Sequence, residues 1–597
     1  MDASKSYLTF RIEGDAGDGI ISMGNVLAKS IARSGGHVYT FRTYPAEVRG
    51  GQSTFQLRAG PEPVHSQGDK VDVLVALNEE AFHQHKDDLK PQGGVLIHND
   101  VDGVWEASNT SGGIRYAIDF DHITKQAVGN PKSKNVVVAG VLAELFGLEP
   151  ETIKTVLAEQ FKGKGDSIVI ANSMALDAGI AYVQQHVAKT DRHRLTFGDE
   201  TDLLVMSGNE AIAYGAILAG VRFFAGYPIT PATEILEWLA RYLPRFDGRV
   251  VQTEDEIAAL GMCVGAAFGG VKSMTATSGP GLSLMSEMIG LTSMAEVPLV
   301  IVDVQRGGPS TGMPTKDGQG DLNFAIFGTH GEAPKVVLAP HNVEDCLYQT
   351  INAVNIAHRF HIPVIVLSGQ SLSHRTETLT PPDLSKIDVF EEKLFEENGQ
   401  GEQRFCRYYE RAETGTSIRS IPGQPGGEYR ATGLEHDDCG LPRFDTQTRK
   451  RMVARRRRKM HAISKFFHAA DRCEQPEATV GLMGWGTTSS IVRKVVHRAQ
   501  NDGSQLGCLC PKILFPLPDQ TIREFITPLK KLFICEANAT RQFAELIKSR
   551  YSAELIAGEV EVVSITKDTG LPFSADEVYR PIKEVLRHGR QEESIDA

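Results

Sequence analysis

Between residues 223 and 322 four short motifs follow one another: FFAGYPITPATE, TEDEIAALGMCVGAAFGG, TATSGPG and DVQRGGPSTGMPTKDGQGDL. The apolar runs VRFFAG, KSMTATS, PLVIVDV and, further on, IPVIVLSG read as strands, and helical patterns separate them. Strand, loop and helix in alternation predict a mostly parallel sheet covered on both faces. YPITP, TSGPG and Arg306 then fall just after strands, and open sheets of this kind bind ligands at the carboxyl ends of their strands.

A chain of 597 residues is too long for one core. Residues 1–190 read as one α/β unit: strand YLTFRIEG, glycine loop GDAGDGIIS, helix MGNVLAKSIARSGG, further strands HVYTFRTY, VDVLVALN and GGVLIHN, and a helical end. The polar stretch 191–202 is a linker, and residues 203–375 form a second α/β unit. Residues 376–470 are rich in Gly, Pro, Glu and Arg with few periodic apolar positions, as expected of a linker or partner-facing arm. The basic cluster Arg455–Lys459 near its end reads as a solvated helix face. A third α/β unit occupies 471–597, so the expected fold class is α/β with three α/β domains.

The net charge of -12 argues against nucleic acid as a partner. No run of 18 or more apolar residues occurs and the start is polar, which argues against a membrane span or secretory signal and for a cytoplasmic protein. The eight cysteines are scattered, without a C-x2-C-x2-C run. Reduced thiols are expected, and no iron–sulfur cluster held by this chain alone.

The chemistry of the four motifs suits half of a thiamine diphosphate site, the half that grips the aminopyrimidine ring. That ring needs a carboxylate beside its N1′, placed at a helix start in a largely apolar cleft. Glu256 fits, since it opens a helix of small residues; Glu254 and Asp255 compete, and any of the three could simply complement the helix dipole. The TSGPG loop, with Ser278 and Gly279, lets backbone approach a ligand. Tyr227, Pro228 and Ile229 are the other candidate cofactor contacts. Thr230 and Arg306 are candidates for a substrate carboxylate, because a guanidinium fork matches a planar carboxylate.

Taken together, these motifs resemble those of the 2-oxoacid:ferredoxin oxidoreductases. Residues 203–375 resemble the pyrimidine-binding domain of the α-subunit, and residues 7–190 a γ-subunit fused upstream, through GDAGDGIISMGNVLA and YPAEVRGGQSTFQLR with Arg49-Gly50-Gly51. GWGTT and FICEANATRQFAELI resemble the transketolase C-terminal-like domain of the same subunit. GGPSTGMPTKDGQGDL and GLEHDDCGLP resemble the 2-oxoglutarate branch of the family. The resemblance implies that Glu256 contacts the aminopyrimidine and that Thr230 and Arg306 hold the substrate carboxylate. It implies a β-subunit that supplies the diphosphate and Mg²⁺ site and at least one [4Fe-4S] cluster, with ferredoxin as electron acceptor and coenzyme A as co-substrate, in a dimer of αβ heterodimers. The implied reaction is reversible oxidative decarboxylation of 2-oxoglutarate to succinyl-CoA. Lys316 or His330 is a positional candidate for the distal carboxylate.

Gly17-Asp18-Gly19 mimics the start of a diphosphate–metal motif, but TYPAEVRGG stands where further oxygen ligands belong, so no metal site is expected in this chain. GDAGDG also departs from the G-x-G-x-x-G dinucleotide fingerprint. Three rival readings remain: the same chemistry on pyruvate or a branched-chain 2-oxo acid, a non-catalytic scaffold for a cluster-bearing partner, and a nucleotide-binding dehydrogenase.

Overall fold

A computed structural model of the chain describes residues 7–44, 51–100, 113–198, 202–396, 405–410, 414–467, 470–473 and 478–593. Arg49 and Gly50 of the Arg-Gly-Gly segment lie outside the described residues. The chain divides into two compact units, one of Met1–Ser207 with His374–Asp383 and one of Gly208–Ser373 with Leu384–Ala597.

The first unit is built on an eight-stranded sheet in the order Ile114–Ile118, Val95–Asn99, Val73–Ala76, Leu8–Asp15, Gln52–Gly60, His37–Thr43, Thr376–Leu379, Leu204–Ser207. The first four strands are parallel and the remainder pair antiparallel. The strands and helices expected within residues 7–190 are present. The last two strands of the sheet differ from the sequence reading. Leu204–Ser207 and Thr376–Leu379, at the two ends of the expected middle domain, pair with each other and extend the first sheet. Each is four residues long, too short for its apolar pattern to announce a partner.

Helices Lys134–Phe146 and Asp166–His186 cross at two glycines. A Cβ at Gly140 would stand 2.2 Å from the Leu176 carbonyl oxygen, and one at Gly179 would stand 2.3 Å from that of Val137. The GDAGDG loop turns through left-handed backbone at Gly17 (φ +113°) and Gly19 (φ +75°) into helix Ile20–Arg33. Asn135 Nδ2 donates to the Gly19 carbonyl at 3.1 Å and pins the turn. Burial pushes the Asp18 carboxyl up, against the pull of Lys134. Among the described residues, no three metal-ligating side chains gather here or elsewhere.

The second unit carries two sheets on a shared apolar core that includes Leu299, Ile301, Ile365, Met483, Trp485 and Ile534. The seven-stranded sheet has the order Ile513–Phe515, Val336–Leu338, Pro363–Gly369, Leu299–Gln305, Ser273–Thr277, Phe223–Gly226, Arg249–Gln252; only its first pair is antiparallel. Every residue of Leu299–Gln305 and Pro363–Gly369 is buried, as in strands covered on both faces. The smaller sheet has the order Ala470–Cys473, Gly507–Pro511, Val480–Gly484, Lys531–Glu536, Glu561–Thr566.

The stretch read as an arm is tied into this unit by buried charge. Glu392 accepts from Arg419 Nε and Nη2 at 2.9 and 2.5 Å and pairs with His361 at 2.7 Å. Helix Thr446–Phe466 is capped by Asp445, whose side chain accepts the Thr448 N–H at 2.9 Å. Its basic cluster is a solvated face only at Arg457 and Arg458: Arg455 and Lys459 are buried and donate to Glu296 at 2.9 and 2.6 Å. Arg456, also buried, pairs with Glu435. Burial alone would raise the Glu296 carboxyl, but Lys459, Arg455 and Arg407 hold it down to about 2. The expectation of reduced thiols is also revised: Cys406 pairs with Cys439 and Cys473 with Cys508 as disulfides, while Cys263, Cys346, Cys510 and Cys535 are buried and outside these two disulfides. Cys473 and Cys508 face each other across an antiparallel strand pair, a proximity that a spacing of 35 residues does not reveal. Among the described residues, no helix is long and apolar enough to cross a membrane.

Candidate active site

Four neighbouring strands of the seven-stranded sheet, Leu299–Gln305, Ser273–Thr277, Phe223–Gly226 and Arg249–Gln252, run parallel. Their carboxyl ends release four loops on one edge. Gln305 leads to Arg306, Thr277 to Ser278-Gly279, Gly226 to Tyr227–Thr230, and Gln252 to Glu254–Glu256.

Helix capping selects among the three acids. Asp255 is the N-cap, in extended backbone, and its carboxylate accepts the Ala258 N–H at 2.7 Å. This fixes the start of helix Glu256–Phe268 and turns the next side chain inward. Glu256 is 6 % exposed, whereas Glu254 and Asp255 face solvent. No described residue hydrogen-bonds the Glu256 carboxylate. Gly281 makes room for it, since a Cβ there would stand 2.7 Å from Glu256 Oε1 and 2.0 Å from Thr277 Oγ1. Ser278 is fully buried and its hydroxyl has no hydrogen-bond partner among the described residues.

Arg306 and Thr230 are brought together: Arg306 Nη1 donates to the Thr230 carbonyl at 2.6 Å. Arg306 is buried and its Nε has no hydrogen-bond partner among the described residues. Burial pulls its pKa down while the Asp321 carboxyl opposes that shift. Pro228 and Ile229 are half-buried, and Tyr227 is exposed.

The loop carrying Arg306 is fastened along its length. Asp317 N–H donates to the Gly570 carbonyl at 3.0 Å, Gln319 Nε2 to the Trp485 carbonyl at 2.7 Å, and Asn538 Nδ2 to the Gln319 carbonyl at 3.0 Å. Lys316, half-buried, packs against Gly570. His330 does not join these groups and stands exposed beside Glu287 at 3.4 Å.

Two acids escaped the sequence reading. Asp303 lies within strand Leu299–Gln305, fully buried, with neither carboxyl oxygen hydrogen-bonded by a described residue. Burial, and then the neighbouring Asp321, push its carboxyl well above the ordinary carboxylate range. Asp321 is pushed up by burial to about 6, against the pull of Arg306. It also touches the TSGPG loop, since a Cβ on Gly279 would stand 2.8 Å from Asp321 Oδ2. An acid in the middle of PLVIVDVQ was the available signal.

Buried polar groups are normally satisfied. On this edge a carboxylate, a hydroxyl and a guanidinium nitrogen all keep unused hydrogen-bonding capacity. That set suits a ring with a protonatable nitrogen and, beside it, a ligand carboxylate.

Comparison with known proteins agrees with this layout. The family described as pyruvate flavodoxin/ferredoxin oxidoreductase, thiamine diphosphate-binding, matches residues 214–455. Pyruvate ferredoxin/flavodoxin oxidoreductase matches residues 9–182, and pyruvate:ferredoxin oxidoreductase core domain II matches residues 478–570. The chain is 32 % identical to the 2-oxoglutarate oxidoreductase subunit KorA of Mycobacterium tuberculosis, over 97 % of this chain and 91 % of that one. It is 37 % identical to the 2-oxoglutarate synthase subunit KorA of Methanothermobacter marburgensis, over 64 % of this chain and 99 % of that one. Among solved structures, the 2-oxoglutarate:ferredoxin oxidoreductase of Magnetococcus marinus, with 2-oxoglutarate, coenzyme A and succinyl-CoA bound, superposes with a TM-score of 0.91 at 38 % identity, covering 98 % of this chain and 100 % of that one.

Proposed function

This chain belongs to the 2-oxoacid:ferredoxin oxidoreductase family, as an α-type subunit with a γ-type domain fused ahead of it, and we propose that it works in a coenzyme A-dependent 2-oxoglutarate:ferredoxin oxidoreductase. The reaction is oxidative decarboxylation of 2-oxoglutarate to succinyl-CoA and CO₂ with reduction of ferredoxin, reversible when the ferredoxin is sufficiently reducing. The observation that carries this reading is the buried Glu256 carboxylate, without a hydrogen-bond partner among the described residues, against Gly281 of the TSGPG loop.

Glu256 would hold a proton shared with N1′ of the aminopyrimidine, and Ser278 with the Gly279 backbone would position that ring. Tyr227, Pro228 and Ile229 would wall the same cleft. Thiamine diphosphate, when bound, supplies the electron sink that lets a 2-oxo acid lose CO₂. The Thr230 hydroxyl and the Arg306 fork would hold the carboxylate next to the keto group, with Lys316 for the distal carboxylate. The Asp317, Gln319 and Asn538 contacts keep the Arg306 loop from yielding when substrate arrives. A β-subunit would supply the diphosphate and Mg²⁺ site and a [4Fe-4S] cluster, in a cytoplasmic dimer of αβ heterodimers.

The test is coenzyme A-dependent reduction of a one-electron dye by the chain purified with its co-expressed partner, across a panel of 2-oxo acids. Highest kcat/KM is expected with 2-oxoglutarate. A preference for pyruvate or a branched-chain acid would move the substrate assignment, and absence of dye reduction with every acid would end the catalytic reading. In the same assay Arg306→Lys is expected to raise the KM for 2-oxoglutarate about ten- to hundredfold, because a point charge cannot reproduce a bidentate contact of about 1.5–3 kcal/mol. Thiamine diphosphate affinity should stay within about twofold of the parent in a parallel titration, since a KM effect of this kind reports lost substrate binding.

A further inference from the structure

Two lysines are buried among the described residues, and they are partnered differently. Lys459 has the Glu296 carboxylate. Lys335, 2 % exposed, donates to the Thr329 hydroxyl at 2.7 Å, and no described carboxylate pairs with it. Burial pushes its ammonium down to about 8. A buried cation without a counter-charge is costly, by several kcal/mol in order of magnitude, so such a group normally has an anion beside it.

Space for one adjoins Lys335. A cavity of about 390 Å³ lies between the segment 326–335 and helix Thr446–Phe466, within the usual size range for small-molecule sites. Its wall brings Arg449, Arg456 and Arg457 alongside Lys335, against a single acid, Glu332. Glu435 accepts from both Arg449 and Arg456, and Arg457 has no carboxylate partner among the described residues. Positive charge is therefore in excess. The rest of the wall is largely apolar and includes Val453, Met460 and Phe515. The Ser293 hydroxyl donates to the Pro334 carbonyl at 2.8 Å and fixes the segment that presents Lys335.

The cavity is not the candidate active site. Lys335 immediately precedes Val336–Leu338, at the amino-terminal end of a strand that runs parallel to Pro363–Gly369 and, through it, to Leu299–Gln305. The loops bearing Ser278, Thr230 and Arg306 leave the opposite, carboxyl-terminal end of that sheet.

We propose that this cavity binds a small organic anion, its phosphate or carboxylate head held by Lys335 and the arginines of helix Thr446–Phe466 and its apolar body against Val453, Met460 and Phe515. This site is independent of the catalytic reading. The ligand takes the place of the counter-charge that the fold does not provide for Lys335.

Calorimetric titration of the full chain tests it, with phenyl phosphate and benzoate as probes of the two head groups and inorganic sulfate as a head without a body. Saturable binding of phenyl phosphate or benzoate, several-fold tighter than sulfate, is expected. Lys335→Met should weaken it at least tenfold. Because Lys335 loses its charge as pH rises through about 8, affinity should fall about fivefold between pH 8 and pH 9. Absence of saturable binding, affinity unchanged in Lys335→Met, or binding of an acidic peptide alone would overturn the proposal. Should circular dichroism show Lys335→Met unfolded, Arg457→Gln decides: its side chain is exposed, so folding is spared, and a several-fold loss of affinity supports the site while an unchanged value overturns it.

Discussion

Glu256→Ala is expected to lower 2-oxoglutarate-dependent dye reduction by the reconstituted complex about 10²- to 10⁴-fold, the range for loss of a positioned proton-transfer group. The chain itself should remain folded. No described residue hydrogen-bonds the Glu256 carboxylate, so its removal strands no donor. The acid's favourable place in the first turn of helix Glu256–Phe268 is worth only about 0.3–1 kcal/mol. A large catalytic loss with little change in melting temperature therefore separates a working carboxylate from a structural one. Glu256→Gln should behave similarly, because an amide keeps the shape and loses the acidity. Unchanged turnover in both variants would return the chain to the scaffold reading.

Glu296 predicts the reverse pattern, a loss of stability without a role in chemistry. The Glu296 carboxylate meets Lys459 and Arg455, and the Glu296 backbone carbonyl accepts from Arg407, all three cations being buried. Glu296→Gln removes the negative charge and leaves the cations in the interior, a change that costs about 3–5 kcal/mol when a buried pair is broken. Urea denaturation followed by tryptophan fluorescence reads this directly, and an unchanged midpoint would mean that the cations do not need Glu296. The pH dependence has a definite sign. The folded value of about 2 lies below the ordinary 4.5, so the stabilisation is complete above pH 4.5 and disappears as pH falls towards 2. The parent should lose stability through that window, and the glutamine variant should lack that component of the loss.

These two acids also show what sequence can and cannot disclose. Glu256 was legible as one of three candidate acids because its signals are local, a helix of small residues after it and a glycine turn following the next strand; the cap made by Asp255, seen only in the fold, sets it apart from Glu254 and Asp255. Arg306 was legible for the same reason. The surroundings of Glu296 were not, because Arg455 and Lys459 lie 159 and 163 residues away from it. A run of arginines reads as solvated when no counter-charge is near in sequence, and only the fold supplies one. Asp303 was hidden by its strand, whose apolar pattern masks one acid, and its shift comes from burial first and then from Asp321 eighteen positions on. Lys335 carried no local signal, since the cavity beside it is formed by a helix more than a hundred residues later.

The strand pair formed by Leu204–Ser207 and Thr376–Leu379 bears on how this protein is made. Leu204–Ser207 joins its sheet only through Thr376–Leu379, which sits between it and His37–Thr43. Synthesis proceeds at about 5–20 residues per second, so the ribosome must deliver the whole intervening segment before that gap can be filled. Until then His37–Thr43 presents an open hydrogen-bonding edge, the kind of surface on which nascent chains stick to one another.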